Sequence, residues 1–136
     1  MSAPPKVWFI TGSSTGFGRE MAELLLRRGN KVIATLRKPE ALAPLASKYS
    51  RDQLLVLKLD VTKEEEIKSA FAEGHKAFGR IDVVFNNAGI FAIGEVEGTS
   101  EATIRRLFET NFIGAVNVSK EAVRVFREVN KPSGGR

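Results

Sequence analysis

Three glycines stand at Gly12, Gly16 and Gly18 in the run Thr11-Gly12-Ser13-Ser14-Thr15-Gly16-Phe17-Gly18, directly after the apolar stretch Val7-Trp8-Phe9-Ile10. Such a strand, turn and helix start can aim several backbone N–H groups and the positive end of a helix at one point, which suits a pyrophosphate. In that reading Gly12 allows a tight turn, Gly16 lets the backbone approach an anion, and Gly18 lets the helix pack closely on its strand. The spacing is GxxxGxG rather than GxGxxG, so on its own it fits an ordinary glycine-rich turn as well.

Three further features carry chemistry. A segment ends at Thr35-Leu36-Arg37, about 20 residues after the first glycines, where an acid would hold ribose hydroxyls. Leu36 offers no carboxylate, and Arg37 can instead take a 2′-phosphate in a bidentate pair. Asp60, in Leu59-Asp60-Val61, can accept from an adenine amino group or simply shape a turn. Asn86-Asn87-Ala88-Gly89 is small and polar directly after an apolar run, and a plain Asn/Gly turn would explain it alone.

The elements that must position these residues follow from hydrophobic pattern. Val7–Ile10 reads as a strand buried on both faces. A helix from Gly16 places Phe17, Met21, Leu24, Leu25 and Arg28 on one stripe and stops at Gly29-Asn30. Lys31–Thr35 is a second strand, followed by a short helix carrying Leu42, Leu45, Ala46 and Tyr49; Leu54–Leu57 is a third strand. Thr62-Lys63-Glu64-Glu65 predicts a capping box ahead of a helix with Ile67, Ala70, Phe71, Gly74 and Phe78 inward. Ile81–Phe85 is a fourth strand. The βαβαβαβ rhythm predicts an α/β, doubly wound parallel sheet in one domain, 1–136, with all four chemical features at strand C-terminal ends.

Composition narrows the class. A chain of 136 residues, 43% hydrophobic and 27% charged, can bury a core of its own. There is no cysteine, so no disulfide or thiolate metal site, and no metal-ligand spacing. Met1-Ser2-Ala3-Pro4-Pro5 lacks the pattern of a secretory signal and no apolar run reaches membrane-spanning length, so a cytoplasmic location is expected. The net charge of +5 is scattered, without aromatic interleaving, and predicts no nucleic-acid binding. His75, the sole histidine, reads as helix-surface packing, and Trp8 as core.

At the quoted motifs the chain resembles the short-chain dehydrogenase/reductase family: Thr11-Gly12-x-x-x-Gly16-x-Gly18, Asp60-Val61, Asn86-Asn87-Ala88-Gly89 and Asn111 occur in the expected order across essentially all 136 residues. The resemblance implies a Rossmann fold that stops after the fourth strand and the long helix following it. It also implies a cofactor site of Gly12, Ser13, Ser14, Thr15, Gly16, Phe17 and Gly18 at the pyrophosphate. Asp60 and Val61 would stand at the adenine, and Asn87, Ala88 and Gly89 along the adenosine ribose side. Arg37 without a preceding acid is similar to the NADP-preferring branch, and the opening Val-Trp-Phe-Ile-Thr-Gly is most similar to the hydroxysteroid-dehydrogenase-like subgroup. Phe17 departs mildly from the family's usual Ile.

The family's chemistry needs a Ser and a Tyr-x-x-x-Lys helix, in which the ammonium lowers the phenol pKa so that the tyrosine can exchange a proton with the substrate oxygen. The sole tyrosine, Tyr49, has Gln53 at the fourth position. Of the catalytic tetrad only Asn111 is present, where the resemblance implies an asparagine that positions a proton-relaying water. The expected activity is therefore NADP(H) binding inherited from an oxidoreductase acting on a ketone, aldehyde or alcohol, with a non-catalytic NADP-binding or interaction module as the alternative. The helix after Asn111 has an apolar arc from Phe112 to Val129 wider than one sheet needs, and the fourth strand is expected to be an open edge. Together these predict a homo-oligomer formed through the 112–129 helix, the edge, or both.

Overall fold

The computed structural model describes residues 3–136. Four short strands form one sheet: β1 (Val7–Ile10), β2 (Lys31–Leu36), β3 (Leu54–Lys58) and β4 (Val83–Phe85). Their order is β3-β2-β1-β4 and every pairing is parallel, with Phe9 opposite Ile33 and Val84, and Ile33 opposite Leu55. The order reverses between β1 and β4. That reversal opens a crevice at the strand C-terminal ends, where open α/β sheets bind ligands.

Parallel strands need helical crossovers, and the chain supplies them as α1 (Gly16–Arg27), α2 (Ala43–Ala46, behind a 3₁₀ turn at Pro39–Leu42) and α3 (Glu64–Phe78). A last helical stretch, 101–129, comprises α4 (Glu101–Phe108), a π-helical segment Glu109–Gly114, α5 (Ala115–Arg124) and a second π-helical segment Val125–Val129. One core layer joins Phe9, Ile33, Ile67, Phe71, Val118 and Val125; the other joins Ile10, Val32, Ala34, Ala22, Leu25 and Leu42. Phe9 and Phe71 stack at 4.1 Å between centroids, fixing α3 to the middle of the sheet.

Several local expectations change. The capping box does not form: Lys63 is the N-cap of α3 without a side-chain bond, and the Thr62 hydroxyl turns back to Asp60 Oδ1 at 2.7 Å. Three acids, Glu64 to Glu66, face the helix N-terminus instead, and Glu66 accepts the Asp60 N–H at 2.7 Å. On α1 the buried residues are Gly18, Ala22, Leu25 and Leu26, whereas Phe17 is 84% exposed. Close approach of Gly18 to the Gly12 carbonyl sets the rotation of α1, so that of the expected stripe Leu25 is buried, Met21 and Leu24 are half-buried with Met21 packed on the core, and Phe17 and Arg28 are exposed. Asn111 lies inside the last helix rather than at its start, because Ser100 caps α4 by accepting the Thr103 N–H at 3.2 Å.

The edge of β4 is not wholly open. Arg136 donates to the Asp82 carbonyl at 3.0 Å and accepts from the Val84 N–H at 2.8 Å, so the segment after the last helix has begun to pair there. Asn130, fully buried, secures that return: its amide brackets the Ile81 N–H and carbonyl and also donates to the Gly134 carbonyl at 2.9 Å. Nothing in the hydrophobic pattern singled out this residue.

Candidate functional site

The turn after β1 is built from inside out. Gly12 has φ +67°, a left-handed conformation, and a Cβ there would lie 2.9 Å from Ala88 Cα. A Cβ on Gly18 would collide with the Gly12 carbonyl oxygen. These two positions therefore bring the glycine turn, α1 and the Asn87-Ala88 segment into backbone contact. Gly16 also has a left-handed φ, +59°, but the place of its missing Cβ is open space. Ser13 turns inward, with its hydroxyl on the Ile10 carbonyl at 3.1 Å and its N–H on the Thr35 carbonyl at 3.0 Å. Ser14 is half-buried, and Thr15, Gly16 and Phe17 are exposed.

Two motifs far apart in sequence are locked by Thr11. Its hydroxyl oxygen accepts the N–H groups of both Asn87 and Ala88 at 2.9 Å. Asn87 in turn donates its amide to the Thr11 carbonyl at 3.1 Å and the Gly12 carbonyl at 3.2 Å. Thr11 thus holds the site together although its own hydroxyl is fully buried. The available signal was its place at the end of a buried strand, immediately before the first glycine.

The site also suits an anion electrostatically. Thr15, the N-cap of α1, makes no side-chain cap bond, and no acid lies in the first turn of that helix. The first-turn N–H groups and the positive helix end are left for a ligand. At the far side of the crevice, Arg37 is exposed at the end of β2 and close enough to Asp60 to favour its ionised form. Burial pushes the Asp60 carboxyl up, but the side-chain and backbone bonds from Thr62, with Lys63 and Arg37, outweigh it and hold the group below its ordinary value. Val61 is buried behind it against Gly114 of the last helix.

Asn111 is fastened rather than free. Its Oδ1 accepts the Ile90 N–H at 2.8 Å and its Nδ2 donates to the Ile90 carbonyl at 2.7 Å. This clamp, from within a π-helical segment of the kind often found at functional sites, fixes where the chain goes after Gly89. Asn86 ties the end of β4 to the same helix through the Ala115 carbonyl at 2.8 Å and Ser119 Oγ at 3.0 Å. His75 sits in the last turn of α3, which leads to the start of β4 and so lies at the opposite end of the sheet. No cluster of three potential metal ligands occurs among the described residues, and no helix of them is long and apolar enough to cross a membrane.

With glycine turn, Asp60 and Asn87-Ala88-Gly89 gathered at one crevice, the decisive comparison is the family pattern described as short chain dehydrogenase, which matches residues 6–136. The chain belongs to the short-chain dehydrogenase family. It is 43% identical over 123 residues to "Oxidoreductase BOA17" of Botryotinia fuckeliana, covering 90% of this chain and 45% of that one. It is 34% identical to the "NADPH-dependent 1-acyldihydroxyacetone phosphate reductase" of Saccharomyces cerevisiae, covering 88% of this chain and 41% of the relative. A short-chain dehydrogenase structure from Streptomyces avermitilis superposes with a TM-score of 0.86 at 39% identity, covering 98% of this chain and 48% of that one. The chain thus spans about half the length of these relatives. The Rossmann-type sheet expected from the strand–helix rhythm is the one observed, and the family is one of oxidoreductases that use a nicotinamide cofactor.

Proposed function

We propose that this chain is the NADP(H)-binding half of an oxidoreductase that moves hydride between the nicotinamide and a ketone, aldehyde or alcohol. The observation that carries this reading is the uncapped, acid-free N-terminus of α1 standing behind a left-handed glycine whose Cβ position is empty. Gly12 through Gly18 would hold the pyrophosphate, with Ser13 acting as internal support for the turn and the N–H groups after it facing the ligand. Asp60 and Val61 would meet the adenine; Asn87, Ala88 and Gly89 would line the adenosine ribose side.

Arg37 supports the choice of NADP(H) over NAD(H). It is exposed at the tip of β2, it follows a buried leucine instead of an acid, and none of its side-chain nitrogens is engaged in an ion pair among the described residues. The yeast relative, by its name NADPH-dependent, is in keeping with that choice. Asn111 would act as a positioning residue: by clamping Ile90 it orients the chain that leaves the cofactor site.

The chain lacks the Tyr-x-x-x-Lys pair that would carry the substrate proton, since its one tyrosine is Tyr49 with Gln53 four residues on. The 136-residue chain should therefore bind NADPH while showing no ketone-dependent oxidation of it above background. Fluorescence titration with NADPH and NADH, followed by a turnover assay on the same preparation, tests both parts. Equal affinity for the two cofactors would remove the NADP reading, and robust turnover would require a proton donor elsewhere in the chain. A non-catalytic NADP-binding module is the second reading, favoured by the same missing pair.

A further inference from the structure

Glu66 is the third residue of α3, the position from which a capping glutamate ordinarily reaches back to the N–H of its own N-cap. Here that N–H, of Lys63, is already taken by the Asp60 carbonyl at 2.9 Å. Glu66 reaches past it, and its Oε2 accepts the Asp60 N–H at 2.7 Å. The other carboxylate oxygen lies 3.5 Å from Lys58 Nζ and 3.9 Å from Lys63 Nζ, and both lysine side chains are more than half exposed. Exposed ion pairs of that kind contribute little. The short, charge-assisted bond to the main chain is the one that constrains the turn.

With that bond made, Asp60 is held on three sides. Glu66 holds its N–H, Lys63 holds its carbonyl, and the Thr62 N–H and hydroxyl hold its Oδ1 at 3.0 and 2.7 Å. Two groups of the turn make no hydrogen bond among the described residues: Asp60 Oδ2 and the Val61 N–H, an acceptor and a donor on adjacent residues. That pair complements the edge of adenine, whose amino group donates and whose ring N1 accepts. It opposes the edge of hypoxanthine, where an oxo group accepts and N1–H donates. We propose that Glu66 is a positioning residue for base recognition: by fixing the main chain at Asp60 it holds the carboxylate and the Val61 N–H in the relation that admits adenine and rejects a 6-oxopurine. This inference rests on the proposed seating of adenine at Asp60 and Val61, and it is independent of Arg37 and of the choice between NADP(H) and NAD(H).

The test is fluorescence titration of the 136-residue chain with NADPH and with its hypoxanthine counterpart, which differs only in the base. The wild type should prefer the adenine form by about tenfold or more, because the oxo group would face a carboxylate. Glu66→Ala should cut that preference to about threefold or less. Glu66→Asp keeps a negative charge at the helix N-terminus but falls one methylene short of Asp60, so it should show the same loss even if the alanine variant folds poorly. Glu66→Gln can still accept the Asp60 N–H through its amide oxygen and should keep the preference. Helix content by circular dichroism is checked on each, and the ratio of the two affinities is the readout, since a merely structural loss lowers both together. A preference that survives in Glu66→Ala and Glu66→Asp, or that Glu66→Gln loses as fully, overturns the inference and leaves the adenine seat standing. Equal binding of the two bases by the wild type removes the seat and the inference with it.

Discussion

Thr11 and Asn87, 76 residues apart, hold each other's main chains: the Thr11 hydroxyl accepts the Asn87 N–H at 2.9 Å and the Asn87 amide returns a bond to the Thr11 carbonyl at 3.1 Å. The pair joins the end of β1 to the end of β4 across the crevice. A cofactor bound there meets a surface whose shape depends on this lock rather than on the glycines alone.

The first prediction follows from it. Thr11→Val keeps the volume but strips the acceptor from two backbone N–H groups, Asn87 and Ala88. Leaving a buried donor unsatisfied costs about 1–3 kcal/mol, and these two are only partly buried, so a loss of roughly 1–3 kcal/mol in total is expected. Thr11→Ser retains the hydroxyl and should lose under about 1.5 kcal/mol. Urea unfolding followed by circular dichroism measures both, and a Thr11→Val protein as stable as wild type would show that the lock carries no weight.

Arg37 gives the second. A charge-assisted pair with a 2′-phosphate contributes roughly 1.5–3 kcal/mol, or about 10- to 150-fold in affinity. Arg37→Ala should lose that factor for NADPH and change NADH binding little. The same titration on the variant reads the outcome, and a parallel loss for both cofactors would mean that Arg37 contacts something they share.

How much of this site could be read before the fold was known depends on which residues are considered. The parallel sheet and the placing of Gly12, Asp60 and Asn87 at strand C-terminal ends follow from apolar runs alternating with helical stripes, because that pattern allows few topologies. The exact rotation of α1 was not legible: Leu25 was placed inward correctly, but Phe17 shares the helical spacing of the residues that pack inward and is exposed, while Ala22 and Leu26 are buried. The contact between Gly18 and Gly12 fixes that rotation. Asn130 and Thr62 were missed for a related reason. A polar side chain gives the same signal whether it caps a helix, closes a turn or brackets a strand, and the partner that decides is remote in the one case and two residues upstream in the other.

Acid stability supplies the third prediction. The Asp60 carboxyl is held below its ordinary value of 3.8, with burial opposing and the Thr62 bonds prevailing. A depressed folded-state value stabilises the fold fully above about pH 4, and that contribution is lost as pH falls through the folded value. Thr62→Val removes the hydroxyl at 2.7 Å and should cost about 0.5–1.5 kcal/mol at neutral pH and shift acid unfolding to higher pH, the difference between the two proteins vanishing once Asp60 is protonated. An acid-unfolding midpoint identical in the two proteins would separate Asp60 from the pH dependence.

The last prediction concerns the isolated chain and the arc from Phe112 to Val129. That arc was expected to be wider than the sheet needs. The structure divides it: Val118 and Val125 are 0% and 2% exposed and belong to the core, while Phe112, Ile113, Val116 and Val123 face outward. A glutamate at Val118 or Val125 would bury a charge among Phe9, Phe71 and Ile67 and unfold the domain rather than dissociate it. We propose that the chain self-associates reversibly through the outward residues, where each buried side chain contributes about 1.5–3 kcal/mol. Val116→Glu and Val123→Glu should then yield monomer with unchanged helix content, and Val118→Glu should lose the helical signal. Sedimentation over a concentration series, with circular dichroism on the same samples, separates the two effects. If the wild type stays monomeric at every concentration, the outward face does not hold two copies together.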